Sequence, residues 1–176
     1  VPKRKSDVHP YFDRKVLEPK LPGYYWTVDP GIGGTGVAQF ISSEEAPIET
    51  VSIVSRRKGW RAKVDGIVEA FMSMLDEDLE SPTCVVFEFQ ELWSGSSTSM
   101  AAGSKGDLFK LTFLTGRLAQ VAYDAGAEVV LVKPGEWKGQ LSKKAVDRRI
   151  DRALGLAFGN HVSDAVGMGL AMQRVL

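Results

Sequence analysis

The sequence is poor in the residues that most often mark a site. Its 176 residues include one cysteine and two histidines. A single cysteine forms no internal disulfide, and no Cys/His cluster has the spacing of a zinc site, so a disulfide scaffold and a zinc module are both excluded. Cys84 lies in the apolar run Thr83-Cys-Val-Val-Phe87, where a small buried thiol is expected. No apolar stretch approaches the ~18 residues of a membrane span, and the first residues lack the apolar core of a signal peptide. The expectation is a soluble protein of a reducing, cytoplasmic compartment with no membrane partner. Net charge is also missing, because 22 Lys and Arg balance 22 Asp and Glu. That excludes a uniformly basic nucleic-acid coat and leaves the distribution of charge to carry any electrostatic function.

What remains is ordinary globular composition, 44% hydrophobic and 25% charged. The length suits one compact domain with an appended arm. Residues 1–23 form the arm. There Lys3, Arg4, Lys5, Arg14, Lys15 and Lys20 outnumber Asp7, Asp13 and Glu18, and Pro2, Pro10, Pro19 and Pro22 prevent a continuous helix. The segment reads as an extended basic arm or as a disordered tail. The domain proper spans 24–176.

Within it, Tyr24 to Val28 is a β-rich run ending at Asp29-Pro30-Gly31. Val37 to Ile41 is a second strand, and Ile48 to Val54 a third, with Ile48, Val51 and Ile53 as its apolar positions. Together they predict a three-stranded antiparallel meander. Trp60 to Leu75 is helical, with Val64, Ile67, Val68, Phe71, Met72 and Leu75 on one stripe. Val85 to Phe89 is almost wholly apolar, as in a buried central strand. The Ser- and Gly-rich stretch from Leu92 to Gly106 is a loop, and Asp107 can cap a helix running to about Ala125. Glu128 to Val132 is a fifth strand. A basic segment starts at Lys133, a helix at about Ser142 and a last helix at about Asn160. The order βββ-α-β-α-β-α-α predicts an α/β fold with a mixed five-stranded sheet flanked by helices.

Three acids stand out by position. Asp29 ends the first strand and is followed by glycines, which let a phosphate or another chain approach the backbone. The same Asp-Pro-Gly also suits a turn. Glu88 interrupts the most apolar strand, where an unpaired carboxylate costs several kcal/mol unless a cation, a metal or hydrogen bonds compensate it. Asp164 lies in Asn160-His-Val-Ser-Asp-Ala-Val-Gly-Met-Gly-Leu170, with His161 one helical turn before it. Gly167 and Gly169 lower helix propensity, and close packing of this helix on a sheet explains them. Acids from two strands and a helix, without thiolates, suit hard cations such as Mg2+ or Mn2+. Two such ions ~3.5–4 Å apart activate water and stabilise the leaving oxygen in phosphodiester cleavage.

This arrangement resembles the RuvC family of Holliday junction resolvases, within the RNase H-like superfamily. The residues that carry the resemblance are Val28-Asp-Pro-Gly31 with Gly36, Phe87-Glu88 with Gln90, and His161-Val-Ser-Asp-Ala165. Lys133-Pro-Gly-Glu-Trp-Lys-Gly139, followed by Lys143 and Lys144, resembles the phage-encoded branch. The resemblance implies an RNase H-like fold and a recombination and repair endonuclease acting on branched DNA, in host cytoplasm if phage-encoded. It assigns Asp29, Glu88 and Asp164 to coordination of two ions per site, with Asp29 bridging, and His161 to a supporting role. It also implies products with 5′-phosphate and 3′-hydroxyl ends. His161 stands where the family often has a fourth acid, and neither the arm nor the loop after Glu88 follows the family pattern.

The zero net charge hides strong polarity. Arg56, Arg57, Lys58, Arg61 and Lys63 form one acid-free cluster. Lys133, Lys138, Lys143, Lys144, Arg148, Arg149 and Arg152 form a second, while Asp65 to Glu80 carries acids and no base. Contacts to DNA phosphates are expected from Arg56, Arg57, Lys58, Lys138, Lys143, Lys144 and Arg148. Trp60 and Trp137 stand among cations and suit base stacking. Trp93, or alternatively Phe89, suits a wedge at a branch point, although Phe89 equally continues the apolar strand.

The reading is a metal-dependent endonuclease resolving four-way junctions. Its alternatives are a broader branched-DNA or flap nuclease and a non-catalytic nucleic-acid-binding module of the same fold. An actin- or sugar-kinase-like phosphotransferase also has Asp-x-Gly after its first strand, but it needs two lobes and this chain offers one. Two symmetric cuts imply a homodimer. The expected surface is the helix from Asp107 to Ala125, where Leu108, Leu111, Leu114 and Leu118 form a stripe that Phe109 and Phe113 widen.

Overall fold

A computed structural model describes residues 23–78, 80–90 and 106–173. Most of the basic arm (1–22), the loop carrying Trp93 (91–105) and the last three residues lie outside the described residues. The strands are β1 (Tyr24–Asp29), β2 (Thr35–Ile41), β3 (Glu49–Ile53), β4 (Cys84–Glu88) and β5 (Glu128–Val132). The helices are α1 (Trp60–Glu77), α2 (Asp107–Asp124), α3 (Pro134–Trp137), α4 (Lys143–Leu154) and α5 (Asn160–Met172). The strands form one sheet in the order β3-β2-β1-β4-β5. β1–β2 and β2–β3 are antiparallel, whereas β1–β4 and β4–β5 are parallel. This is the expected mixed sheet.

Both faces of the sheet are covered, and strand alternation splits the core in two. Trp26, Val28, Val85 and Phe87 point to α1 and α2, where they meet Ile67, Phe71, Leu114 and Leu118. Trp26 packs edge-on against Phe71, with ring centroids 5.7 Å apart. Tyr25, Phe40, Cys84 and Val86 point to α4 and α5, where they meet Val146, Ile150, Val166 and Met168. Tyr25 stacks on Phe40 at 5.3 Å. Cys84 is buried and free, as expected.

Several expectations need correction. β3 begins one residue later than expected, and Ile48, which precedes it, is exposed. β4 is shifted back by one, so Phe89 follows the strand half-buried, its N–H donating to Val132 O at 2.8 Å. Met72 lies off the buried stripe of α1 and is exposed. Asp107 does not cap α2; it is the first helical residue, behind Gly106 at φ 70°, and pairs with Lys110 at 2.8 Å. An acid in a first turn still suits the helix dipole. The basic segment after β5 contains the short helix α3, begun by Pro134, whose fixed φ and missing N–H suit a first turn. The stripe of α2 divides. Leu114 and Leu118 are buried within the chain, Leu108 and Leu111 are half-buried, and Phe109 and Phe113 are exposed.

Among the described residues, no helix is long and apolar enough to cross a membrane.

Candidate functional site

The period of two along β1 and β4 places the first two acids. Asp29 shares a face with Tyr25 and Thr27, and Glu88 with Cys84 and Val86, so both point toward α5. Val28 pairs with Phe87 in parallel register, which puts Asp29 and Glu88 side by side at the next position. Both are the last residues of their strands. Sites in open α/β sheets characteristically form at these carboxyl ends.

α5 brings the other two residues. Its approach depends on missing side chains. A Cβ on Gly36 would lie 2.2 Å from the backbone C and O of His161, and one on Gly169 would lie 2.1 Å from the Phe40 ring. A Cβ on Gly31 would lie 2.6 Å from the His161 ring. Thr27 Oγ1 then donates to the carbonyl of Ala165 at 2.8 Å, tying α5 to β1. Gly31 and Gly36 thus admit the start of α5, and Gly169 admits Phe40 of β2 further along the helix.

Asp29, Glu88, His161 and Asp164 line one open cleft of about 520 Å³. His161 Nδ1 lies 2.7 Å from Asp29 Oδ2. Trp137 Nε1 donates to Glu88 Oε2 at 2.7 Å, and Gln90 Nε2 donates to Glu88 Oε1. Lys138 Nζ lies 3.6 Å from Glu88 Oε2. Lys143 Nζ donates to Asp164 Oδ1 at 3.1 Å and to Asp147 Oδ1 at 2.8 Å, and Ser163 Oγ also donates to Asp147. Two lysines thus serve three acids, Lys138 facing Glu88 and Lys143 shared by Asp164 and Asp147, while Asp29 faces His161.

Burial dominates the electrostatics. Asp29 and Glu88 are 6% and 3% exposed. Burial pushes the Asp29 carboxyl above its usual range, against the pull of His161. Burial, and then the charge of Asp29, push Glu88 up to about 7. Its hydrogen bond to Asp29 raises the His161 imidazole above its usual value. The site collects negative charge more closely than its own cations offset.

Among the described residues, no three His, Cys, Asp or Glu side chains are arranged to hold one ion as they stand. Asp29 and Asp164 are turned to His161 and Lys143, and Glu88 to Trp137, Gln90 and Lys138. The donor set nevertheless fits a hard divalent cation: three carboxylates and one imidazole on a single cleft, two of the acids buried and coupled.

The expected DNA-contact residues fall into two groups. Lys138 and Lys143 point into the acid site. Arg56, Lys58, Lys144 and Arg148 are exposed, and Arg57 is exposed while clasping Glu69. Trp137 is not a free stacking surface. Its N–H is held by Glu88, its ring packs near Gly167, and Lys138 Nζ lies 4.8 Å over it. Sequence reasoning missed Trp137 as a partner of Glu88, because nothing local links residues 49 apart. Asp147, which with Asp151 the sequence offers as a substitute for Asp164, shares Lys143 with Asp164, one helical turn along α4 from that lysine.

The sheet order, its mixed directions and the flanking helices define an RNase H-like fold of the RuvC type. The fold is similar to that of Thermus thermophilus RuvC, with a TM-score of 0.62, 19% identity, and coverage of 84% of this chain and 92% of that one. A second solved structure, T. thermophilus RuvC in complex with Holliday junction substrate, gives a TM-score of 0.64 at 19% identity, covering 84% and 91%. No protein-family model and no curated protein matches the chain in sequence.

Proposed function

We propose that the protein is a metal-dependent endonuclease that resolves four-way DNA junctions, of the phage-type branch of RuvC-like enzymes. The observation that carries the reading is the pairing of Asp29 and Glu88 at adjacent strand ends beneath His161 and Asp164, on a fold shared with a protein solved on a Holliday junction. The phage-type assignment rests on the resemblance of the Lys133–Gly139 segment to that branch.

Asp29, Glu88 and Asp164 would hold two Mg2+ or Mn2+ ions, with His161 assisting. When bound, such ions lower the pKa of water and stabilise charge on phosphoryl oxygens. The chain's own contribution is positional. β1 and β4 fix two carboxylates in a dry sheet end, and Trp137 and Gln90 orient Glu88. His161 holds or releases a proton beside Asp29. Lys138 and Lys143 meet the phosphate once their acids are engaged elsewhere, and Arg56, Lys58, Lys144 and Arg148 hold DNA strands further out. A homodimer supplies the second cut. Tyr123, exposed on α2, and the sides of Phe109 and Phe113 not turned to Trp60 support that interface.

The test is cleavage of a four-way junction beside flaps, duplex and single strands, with Mg2+, Mn2+ or chelator. Paired junction cuts are expected with either ion and none in chelator. Asp29→Asn, Glu88→Gln and Asp164→Asn are each expected to abolish cutting while DNA binding survives. Equal cutting of every branched substrate would replace the reading with a flap-type nuclease, and binding without cutting would leave a binding module. Light scattering should give twice 19.2 kDa.

A further inference from the structure

Besides Asp29, Glu88, His161 and Asp164, the cleft is lined by Trp60, Ile32 and Leu111, with the ion pair of Asp107 and Lys110 beside Leu111 on α2. A catalytic cleft for phosphate alone has no use for a half-buried indole, whose apolar surface is better covered. A nucleotide suits both sets of residues: a phosphate for the cations that the acids would hold, and a flat, largely apolar base for Trp60, Ile32 and Leu111. A volume of about 520 Å³ is of the right size for a small ligand such as one nucleotide.

The surroundings of Trp60 support a planar occupant attached to an anionic chain. Trp60 opens α1, directly after the cationic run Arg56-Arg-Lys58 and Gly59. The Arg61 guanidinium lies over the indole ring at 5.0 Å, much as the Lys138 ammonium lies over Trp137. A base stacking there takes the place of the guanidinium, which is then released to the DNA backbone. Phe109 and Phe113 brace the ring edge-on, with centroids 6.4 and 5.9 Å away. Lys110, paired with Asp107 at 2.8 Å, also lines the cleft, so the cations near the indole that are left for a phosphate backbone are Arg56, Lys58 and Arg61. An aromatic ring fixed by two others loses little entropy on stacking, and the cations beside it complement a phosphate backbone.

We infer that the Trp60 wall receives one nucleobase, lifted out of the helical stack next to the phosphate held at the acids. This rests on the nuclease reading and deepens it, because it makes one unstacked base part of the recognised substrate. A branch point supplies such a base at the least cost, since its stacking is already interrupted.

The experiment uses the full chain carrying Asp29→Asn, so that DNA is bound and not cut. Four-way junctions carry 2-aminopurine, in turn, at each position flanking the branch point. Binding is expected to quench one position selectively, as stacking on an aromatic does. Adding Trp60→Leu, which keeps apolar packing, should restore that emission and weaken junction binding by about tenfold, while Trp60→Phe retains most of both. With an abasic nucleotide at the same position, the Asp29→Asn protein should bind with equal affinity whether or not it also carries Trp60→Leu.

Quenching that is the same in Trp60→Leu overturns the inference, as does a loss of affinity that persists on abasic DNA. A halved mass for Trp60→Leu by light scattering also overturns it and makes this wall a contact with a second copy of the chain. Failure of the Asp29→Asn protein to bind any branched DNA strikes the nuclease reading itself, whatever Trp60 does.

Discussion

Trp137 Nε1 donates to Glu88 Oε2 at 2.7 Å, joining the short helix after β5 to the end of β4. The bond fixes one carboxylate oxygen of a buried acid and turns the indole away from solvent. Trp137→Phe keeps an aromatic ring near Gly167 and removes the donor. Activity, or affinity for Mn2+, should fall by about 10–100-fold, the usual cost of losing an outer partner of a ligand. The melting temperature should change little. An unaltered metal titration in this variant would show that Glu88 needs no such support.

His161 acts through Asp29, from which its Nδ1 lies 2.7 Å away. His161→Ala should slow cleavage by about 10–100-fold without eliminating it. It should also shift the Mg2+/Mn2+ preference toward Mg2+, because imidazole suits Mn2+ better. Rates measured with both ions across pH 6–9 check this, and identical profiles would assign His161 a packing role only.

Stability in chelator should fall as pH rises. Glu88 is held up to about 7 against an ordinary 4.5, first by burial and then by Asp29. Between those values the folded protein keeps a proton that the unfolded chain has lost, so raising pH favours unfolding. The difference corresponds to about 3 kcal/mol between pH 4.5 and 7. His161 works in the same direction: its raised value makes its contribution complete below pH 6.5 and lost as pH climbs through the folded value. Denaturant melts at pH 5 and pH 8 should show a smaller difference in Glu88→Gln than in the wild type. Equal differences would mean that Glu88 is already ionised in the folded protein.

The glycines at the contact of α5 with the sheet are not interchangeable with those of the neighbouring turn. Gly36→Ala forces a methyl to within 2.2 Å of the His161 backbone, which has no flexible end to yield. It should cost about 1–3 kcal/mol and displace His161 and Asp164 from the sheet acids, with loss of cutting. Gly33→Ala meets nothing within 4 Å and should stay within about 0.5 kcal/mol. Urea melts of the two variants, read with junction cleavage, separate these outcomes.

The strand and helix order was legible because each element carries its own period. Alternation in β1 and the three-four stripe of α1 are local consequences of backbone geometry. The same local logic singled out Glu88, since a carboxylate in Val85-Val-Phe-Glu-Phe89 contradicts its surroundings, and His161 with Asp164, one turn apart. What the sequence by itself determined was therefore the sheet, its helices and which acids would meet in the cleft. Their company was decided only in three dimensions. Lys138 and Lys143 looked like members of an outer basic patch, yet they lie against Glu88 and Asp164. Trp137 looked like a stacking surface, yet Glu88 holds its N–H. The exposed Phe109 and Phe113 looked like extensions of the α2 stripe, yet they brace Trp60 at the cleft. Periodicity reports which face of an element a residue occupies. Which other face it meets depends on how β1, β4, α3 and α5 dock, and that is set by contacts between segments as distant as Gly36 and His161, which no window along the chain contains.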